Sequence, residues 1–385
     1  MQRILVINGP NLNLLGTRSP EIYGTTTLTD LEALCRSWGE ELGIEVRAFQ
    51  SNHEGALIDG LHEAREVFDG VVLNPGAYAH TSYAIHDAIE AAGIPTVEVH
   101  ISNVEEREPW RSVSVTAPAC TATIYGRGIQ GYRWALRHLV FAHRVPPKIV
   151  AYGEGPDQVG DLRLPSGPGP HPIAVLVHGG FWRRQWTRDL MDGLATDLVE
   201  RGFATWNLEY RRVGAGGGWP ATVLDVARGI DHVALLDAAI DRDRVAVIGH
   251  SAGGHLALAS SGRTDAVTPA LLVSLAGITD LGAALRDGLG SGAVAAFMGD
   301  ATSQTAIAQA SPTAMLPLGV RQLVVHGTDD DDVPVDYSRR YVDSARAAGE
   351  EIEYLELASA GHTSLIDEQG AGWSDIAGRL AGMLP

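Results

Sequence analysis

Ile4-Leu-Val-Ile-Asn-Gly-Pro-Asn-Leu-Asn-Leu-Leu-Gly-Thr-Arg-Ser-Pro-Glu-Ile-Tyr-Gly24 is the stretch on which the reading of the fold turns. Ile4 to Ile7 is a continuous apolar run, the pattern of a strand buried on both faces. It stops at Asn8-Gly9-Pro10-Asn11, where glycine and proline end regular structure and force a turn. A turn past the carboxyl end of a central strand is where open parallel sheets place their ligands. The segment that follows, Gly16 to Gly24, is polar, bounded by glycines and carries Arg18 and Tyr23, as a lid over such a site would.

Outward from this stretch, strand and helix patterns alternate. Leu28, Leu31, Leu34, Cys35, Trp38 and Leu42 recur at helical spacing, with Thr29 as the candidate cap. Residues 45–51 read as a strand, 57–67 as a helix, 70–74 as a buried strand, 82–92 as a helix and 95–101 as a strand. An amphipathic helix over 131–143 closes the series. Such alternation means a parallel sheet covered on both faces, and the expected fold is a flavodoxin-like doubly wound α/β domain. Arg144-Val-Pro-Pro-Lys148 cannot continue the last helix, so a linker is expected there, with a first domain at 1–145 and a second at 146–385.

Asn8-Gly-Pro-Asn-Leu-Asn-Leu-Leu-Gly16, Arg18-x-Pro20 and Tyr23-Gly24 are followed in order by Leu73-Asn-Pro-Gly76, Ala79-His80-Thr-Ser82 and Asp87-Ala88. Glu98-Val-His100-Ile-Ser-Asn103, Arg107, Arg111 and Gly128-Ile-Gln-Gly-Tyr132 complete the set. Over residues 1 to about 143 this resembles type II 3-dehydroquinate dehydratase. Ser19, where the family usually has Glu, and Trp110, where Phe is common, depart from the pattern at non-catalytic positions.

The chemistry implied is loss of water from a 3-hydroxy ketone. It requires a base for the proton beside the carbonyl, a partner for the enolate and an acid for the departing hydroxyl. A tyrosine is a poor base at neutral pH unless a cation favours its phenolate, and Arg18 is the near positive neighbour of Tyr23 in sequence. Asn11 offers an amide to the enolate. His100 is placed for the acid step, with Glu98 able to fix its tautomer. The resemblance implies the same roles, with substrate contacts from Asn74, His80, Ile101, Ser102 and Arg111. It also implies that Asp87 reaches a neighbouring subunit's site in a trimer-based dodecamer. Taken singly, His80 reads as well as a helix cap, and Arg107 and Arg111 as a solvated face. Neither metal nor cofactor is expected, and because Lys148 is the only lysine, an imine mechanism in this domain is excluded.

In the second half, Ile173 to Val177 is an apolar strand ending in His178-Gly-Gly-Phe-Trp182. Val245 to Gly249 leads into Gly249-His-Ser-Ala-Gly253 and a small-residue helix, a Gly-x-Ser-x-Gly turn in strand-turn-helix context. The expected nucleophile is Ser251, the base His362 after a strand at 352–357, and the acid one of the aspartates in Gly327-Thr-Asp-Asp-Asp-Asp-Val-Pro334. Resemblance to hydrolases that place the acid four residues before the proline favours Asp330, with Asp329 and Asp331 as alternatives. His250 and His255 read as residues packing the turn. This half resembles an α/β-hydrolase of the esterase and arylformamidase type. The oxyanion donors are then the backbone N–H groups of Gly180, Phe181 and Ala252, and the acyl group is not readable.

The expected protein is a multifunctional enzyme of the shikimate pathway and aromatic amino acid biosynthesis: a hydro-lyase joined to a serine esterase, each acting on small molecules. The alternative is a dehydratase domain that serves only as an oligomeric scaffold for a carboxylesterase. A net charge of -18 argues against nucleic-acid partners. Cys35 and Cys120 stand in unrelated contexts, so neither a disulfide framework nor a metal knuckle is expected. No apolar run approaches the ~18 residues of a membrane span, and no leader pattern opens the chain, so the expected location is cytoplasmic.

Overall fold

The computed structural model describes residues Met1–Pro385, apart from the side chain of residue 371. The chain forms two compact units, Met1–Arg144 and Val145–Pro385.

In the first unit, strands β1 (Arg3–Asn8), β2 (Glu45–Gln50), β3 (Gly70–Asn74), β4 (Thr96–His100) and β5 (Ala122–Tyr125) form one sheet in the order β2-β1-β3-β4-β5. Every pairing is parallel, which is the flavodoxin-like arrangement. The apolar run of β1 divides between two layers. Ile4 and Val6 pack with Leu31, Trp38, Leu136 and Leu139, while Leu5 and Ile7 pack with Leu57, Leu61, Ile85 and Ile89. Successive side chains point to opposite faces, so a strand covered on both sides must be apolar throughout. Each such side chain contributes about 1.5–3 kcal/mol by leaving water. The layers are α2 (Leu28–Leu42) and α5 (Gln130–Arg144) on one face, and α3 (Glu54–Val67) and α4 (Tyr83–Ala92) on the other; a short α1 (Pro20–Tyr23) precedes them.

One expectation changes here. The cap of α2 is Thr27, not Thr29: the Thr27 hydroxyl accepts the Asp30 N–H while the Asp30 carboxylate accepts the Thr27 N–H. Thr29 lies two residues too late, inside the helix. Strand β5 had no expectation at all. Thr27→Ala should lower the stability of this unit by about 1 kcal/mol. Urea unfolding followed by circular dichroism measures it, and an unchanged midpoint would remove the cap from the account.

The second unit holds β6 (Lys148–Ala151), β7 (Val159–Arg163), β8 (His171–Val177), β9 (Ala204–Leu208), β10 (Ile240–His250), β11 (Leu271–Leu275), β12 (Gln322–Gly327) and β13 (Ile352–Leu357). The sheet order is β13-β12-β11-β10-β8-β9-β7-β6, parallel from β13 to β9 and antiparallel at β7 and β6. Lys148, the last residue of the stretch read as linker, opens β6, an edge strand, while β7 falls where the sequence pattern of residues 160–164 reads as a strand. Helices α6 (Asp192–Glu200), α7 (Ala221–Asp231) and α8 (Ala252–Ser260) connect the strands. Four short helices, α9 (Leu281–Arg286), α10 (Ala293–Met298), α11 (Gln304–Ala310) and α12 (Pro312–Met315), lie between β11 and β12. The chain ends with α13 (Asp336–Ala347) and α14 (Ala371–Met383). Among the described residues no helix is long and apolar enough to cross a membrane.

Candidate functional site

In the first unit the turns after β1 and β3 meet. The Gly9 N–H donates to the Asn74 carbonyl at 2.7 Å, and a Cβ at residue 9 would stand 2.6 Å from the Pro75 oxygen. Only glycine allows these backbones to approach so closely. Asn11 takes the left-handed conformation (φ 67°), which asparagine tolerates, and its N–H donates to Asn52 Oδ1 at 2.8 Å. Asn11, Arg18, Tyr23, Asn74, His80, His100, Ile101, Ser102, Arg107 and Arg111 line one cavity. Asp87 is exposed on α4 and lies outside it.

The phenol of Tyr23 has a different partner from the one expected. An Arg107 guanidinium nitrogen donates to the Tyr23 oxygen at 2.6 Å, and also to Ser102 Oγ at 3.3 Å. The Arg18 guanidinium carbon sits 5.1 Å from the centre of the Tyr23 ring instead. Two cations thus flank one phenol, and the oxygen is held by the one that is distant in sequence.

His100 Nε2 donates to Glu98 Oε1 at 2.8 Å. Glu98 also accepts the hydroxyls of Ser114 and Thr116. Burial alone would raise this carboxyl, but the bonds from His100, Thr116 and Ser114 outweigh it and hold it below its ordinary range. A fixed carboxylate behind Nε2 leaves Nδ1 of His100 as the nitrogen for proton exchange with a ligand. His80 donates Nδ1–H to the Val113 carbonyl at 2.7 Å, and burial lowers its pKa, so it offers a neutral ring to the cavity. Arg111 is steadied by Glu108 at 2.8 Å and lies over Trp110. Asn74 already gives its amide N–H to Tyr132, whose hydroxyl donates to Asn8, so it is a fixed part of the cavity floor.

In the second unit Ser251 has φ 56° and ψ -121°, a strained turn for a residue with a side chain. A Cβ at residue 253 would stand 2.0 Å from the Val177 oxygen and 2.5 Å from that of His178. The glycine after the serine thus lets the start of α8 lie against the end of β8, where the His-Gly-Gly segment begins. Gly180 and Phe181, expected oxyanion donors, both have positive φ, and Ala252 opens α8. His178 is fixed by Glu209, with Nε2 2.9 Å from Oε1, and by the Tyr210 hydroxyl on its carbonyl at 2.7 Å. Burial would raise the Glu209 carboxyl, but Arg212, His178 and Arg188 together keep it well below the usual range.

Of the four aspartates, Asp330 is the one at the base: its Oδ2 lies 2.7 Å from His362 Nδ1. Asp329 instead accepts the Thr328 hydroxyl. His250 packs against the His362 ring and donates Nε2–H to its carbonyl, with burial pushing its pKa down to about 3. His255 donates to the Ala310 carbonyl and packs edge-on against Trp182. Sequence reasoning missed Asn52, Ser114, Thr116, Glu209 and His326 as supports; no motif marks them. Arg107 carried a signal as part of the ordered motif set, but nothing local tied it to Tyr23.

Comparison with known proteins follows the same division. A family model described as Dehydroquinase class II matches residues 2–140, and one described as BD-FAE matches residues 161–344. Catabolic 3-dehydroquinase 1 of Neosartorya fischeri is 55% identical over 136 residues, covering 35% of this chain and 91% of that protein. 3-dehydroquinate dehydratase of Bacillus pumilus is 56% identical over 140 residues, covering 36% and 95%. A truncated carbohydrate esterase from gut microbiota shares the second fold at a TM-score of 0.55 and 19% identity, covering 61% of this chain and 94% of that one.

Proposed function

Through its first 140 residues the chain belongs to the class II dehydroquinase family, and from that premise we propose that this unit dehydrates 3-dehydroquinate to 3-dehydroshikimate. The observation that carries the assignment of roles is the 2.6 Å bond from Arg107 to the Tyr23 oxygen inside the cavity shared with His100 and Asn11. The guanidinium places a positive charge and a donor directly on the oxygen that must act as the base. Tyr23 takes the proton beside the ketone, and the electron pair moves onto the carbonyl oxygen, where Asn11 meets the enolate. His100 then delivers a proton to the hydroxyl at the other carbon as its C–O bond breaks. Water leaves, the ketone reforms and the product is a conjugated enone. Arg18 closes the cavity over Tyr23, and Glu98 holds the Nε2–H of His100, so that the proton delivered is the Nδ1–H of the doubly protonated ring. The test is incubation with 3-dehydroquinate in the presence of a chelator: enone absorbance should rise, and its absence would sink the proposal.

For the second unit we propose serine-dependent ester hydrolysis. Ser251 attacks the ester carbonyl as His362 takes its proton, and His362 gives that proton to the departing alcohol as the C–O bond breaks. Water deprotonated by His362 then releases the acyl group as the acid, while Asp330 holds the histidine. The backbone N–H groups of Gly180, Phe181 and Ala252 face the oxyanion.

Self-association is the third part of the proposal. Asp87 lies exposed on α4, and Tyr83 on the same helix is 69% exposed, as are Val113 (63%) and Trp110 (51%) beside His80. Apolar side chains left in water around a substrate cavity favour a neighbouring copy over them. Light scattering should give a trimer or a multiple of it, the dodecamer included, and a monomer at micromolar concentration would contradict this. In the assembled protein Asp87→Ala should lower dehydration through the adjoining site.

A further inference from the structure

One buried side chain touches the acid of the hydrolytic set and belongs to neither the serine nor its base. His326, near the end of β12, has no solvent exposure. Its Nε2 lies 2.9 Å from the Val333 carbonyl oxygen and 3.2 Å from Asp330 Oδ2. Neither oxygen carries a hydrogen, so Nε2 must. Nδ1 is then the acceptor, and the Ser338 hydroxyl on α13 donates to it at 2.7 Å. The Nε2–H thus bonds the Val333 carbonyl and at the same time lies 3.2 Å from the carboxylate.

Asp330 is held from every side by donors. Oδ1 accepts the N–H groups of Asp332 at 3.0 Å and Val333 at 2.8 Å. Oδ2 faces two imidazoles, His326 and His362, and the Asp330 side chain is fully buried. With water excluded, only these groups decide how the carboxylate is rotated about its last bond. Two backbone N–H groups on Oδ1 and His362 on Oδ2 leave that rotation free to follow the His362 ring, whereas a fourth group, His326, against Oδ2 fixes the plane independently of it.

We infer that His326 is a positioning residue for ester hydrolysis: its Nε2–H holds Asp330 Oδ2 where it meets His362 Nδ1, and Ser338 sets the tautomer that makes this bond. The inference rests on the reading of Ser251, Asp330 and His362 as a hydrolytic set. A residue that only filled space between β12 and α13 would be replaceable by any side chain of similar volume. A residue that acts by donation would be replaceable only by another donor.

The experiment compares His326→Leu with His326→Gln in the full chain, using p-nitrophenyl acetate and a fluorophosphonate probe. Leucine keeps bulk and loses the donor, whereas the glutamine amide restores an N–H near the same place. The expected result is a loss in kcat of between about tenfold and a hundredfold for leucine at unchanged KM, with probe labelling of Ser251 slowed by the same factor. Glutamine should recover most of it. Leucine and glutamine chains that are folded by thermal melting and equally impaired would overturn the inference, as would a leucine chain with kcat like the parent. If the leucine chain does not fold, Ser338→Ala reads the tautomer directly: kcat should fall several-fold at constant KM, and an unchanged kcat overturns the proposal. Loss of the underlying reading looks different, because the unsubstituted chain would then show no Ser251-dependent hydrolysis to compare.

Discussion

Replacing Tyr23 by Phe should lower kcat for dehydration by about 10²–10⁴-fold, the usual contribution of a general base, with KM changed only a few-fold. The substitution removes one oxygen and keeps the ring between Arg18 and Arg107, so the cavity keeps its shape while the proton acceptor is gone. The two arginines then separate by rank. Arg107→Met removes the 2.6 Å donor to the phenol oxygen, and Arg18→Met removes a cation that lies over the ring. Arg107→Met should therefore cost more in kcat, by about tenfold, because a hydrogen bond acts on the oxygen directly and a ring contact does not. Steady-state rates of enone formation check both. A Tyr23→Phe chain within tenfold of the parent would remove the tyrosine from its role, and a larger loss at Arg18 would restore the partner that proximity in sequence suggested.

Ser251→Ala should remove at least about 10⁴-fold of the ester hydrolysis and all fluorophosphonate labelling. The serine sits in a turn held by its own backbone, with its N–H on the Leu275 carbonyl at 2.8 Å and its carbonyl accepting from His255. Loss of one oxygen there leaves the turn intact, so the effect reads chemistry rather than folding. His362→Ala should abolish labelling as well, since it removes the base assigned to the hydroxyl. The acid gives a graded case. Asp330→Asn keeps the shape yet cannot hold His362 in the tautomer that accepts from serine, so its loss should approach that of the serine change. A Ser251→Ala chain that hydrolyses small aryl esters at the parent rate would end the assignment.

What could be read from the sequence depended on whether the signal was local. β1 and β3 were legible because burial on both faces leaves no room for polar residues, and the turns after them were marked by Asn-Gly-Pro and Asn-Pro-Gly. β5 is four residues, Ala-Thr-Ile-Tyr, with a partner on one side only, and so short an edge strand has no period to detect. β6 was hidden by the two prolines before it, which end a helix without saying whether a strand follows. The cap of α2 was misplaced by two residues because Asp30, rather than Glu or Gln, closes the capping box. In the candidate site, residue types were legible and pairings were not. Arg18 is five positions from Tyr23 and Arg107 is eighty-four, yet the distant one reaches the oxygen. The choice of Asp330 among four aspartates came from the resemblance to hydrolases that place the acid four residues before the proline, but the contact of His326 with it arises from the fold of β12 and α13, which no spacing encodes.

The central claim is that the chain carries two active sites, one drawing on the first compact unit, with Asp87 supplied by a neighbouring copy, and the other on the second. It is tested most directly by measuring both reactions on both blocked chains, Tyr23→Phe and Ser251→Ala, after light scattering has shown that each keeps the parent's assembly. Sites with no shared groups behave additively. Each substitution should therefore remove its own activity and leave the other within a factor of about two, a coupling of about 0.4 kcal/mol. A fall of more than about tenfold in the untouched activity of an intact assembly, about 1.4 kcal/mol, would contradict the account.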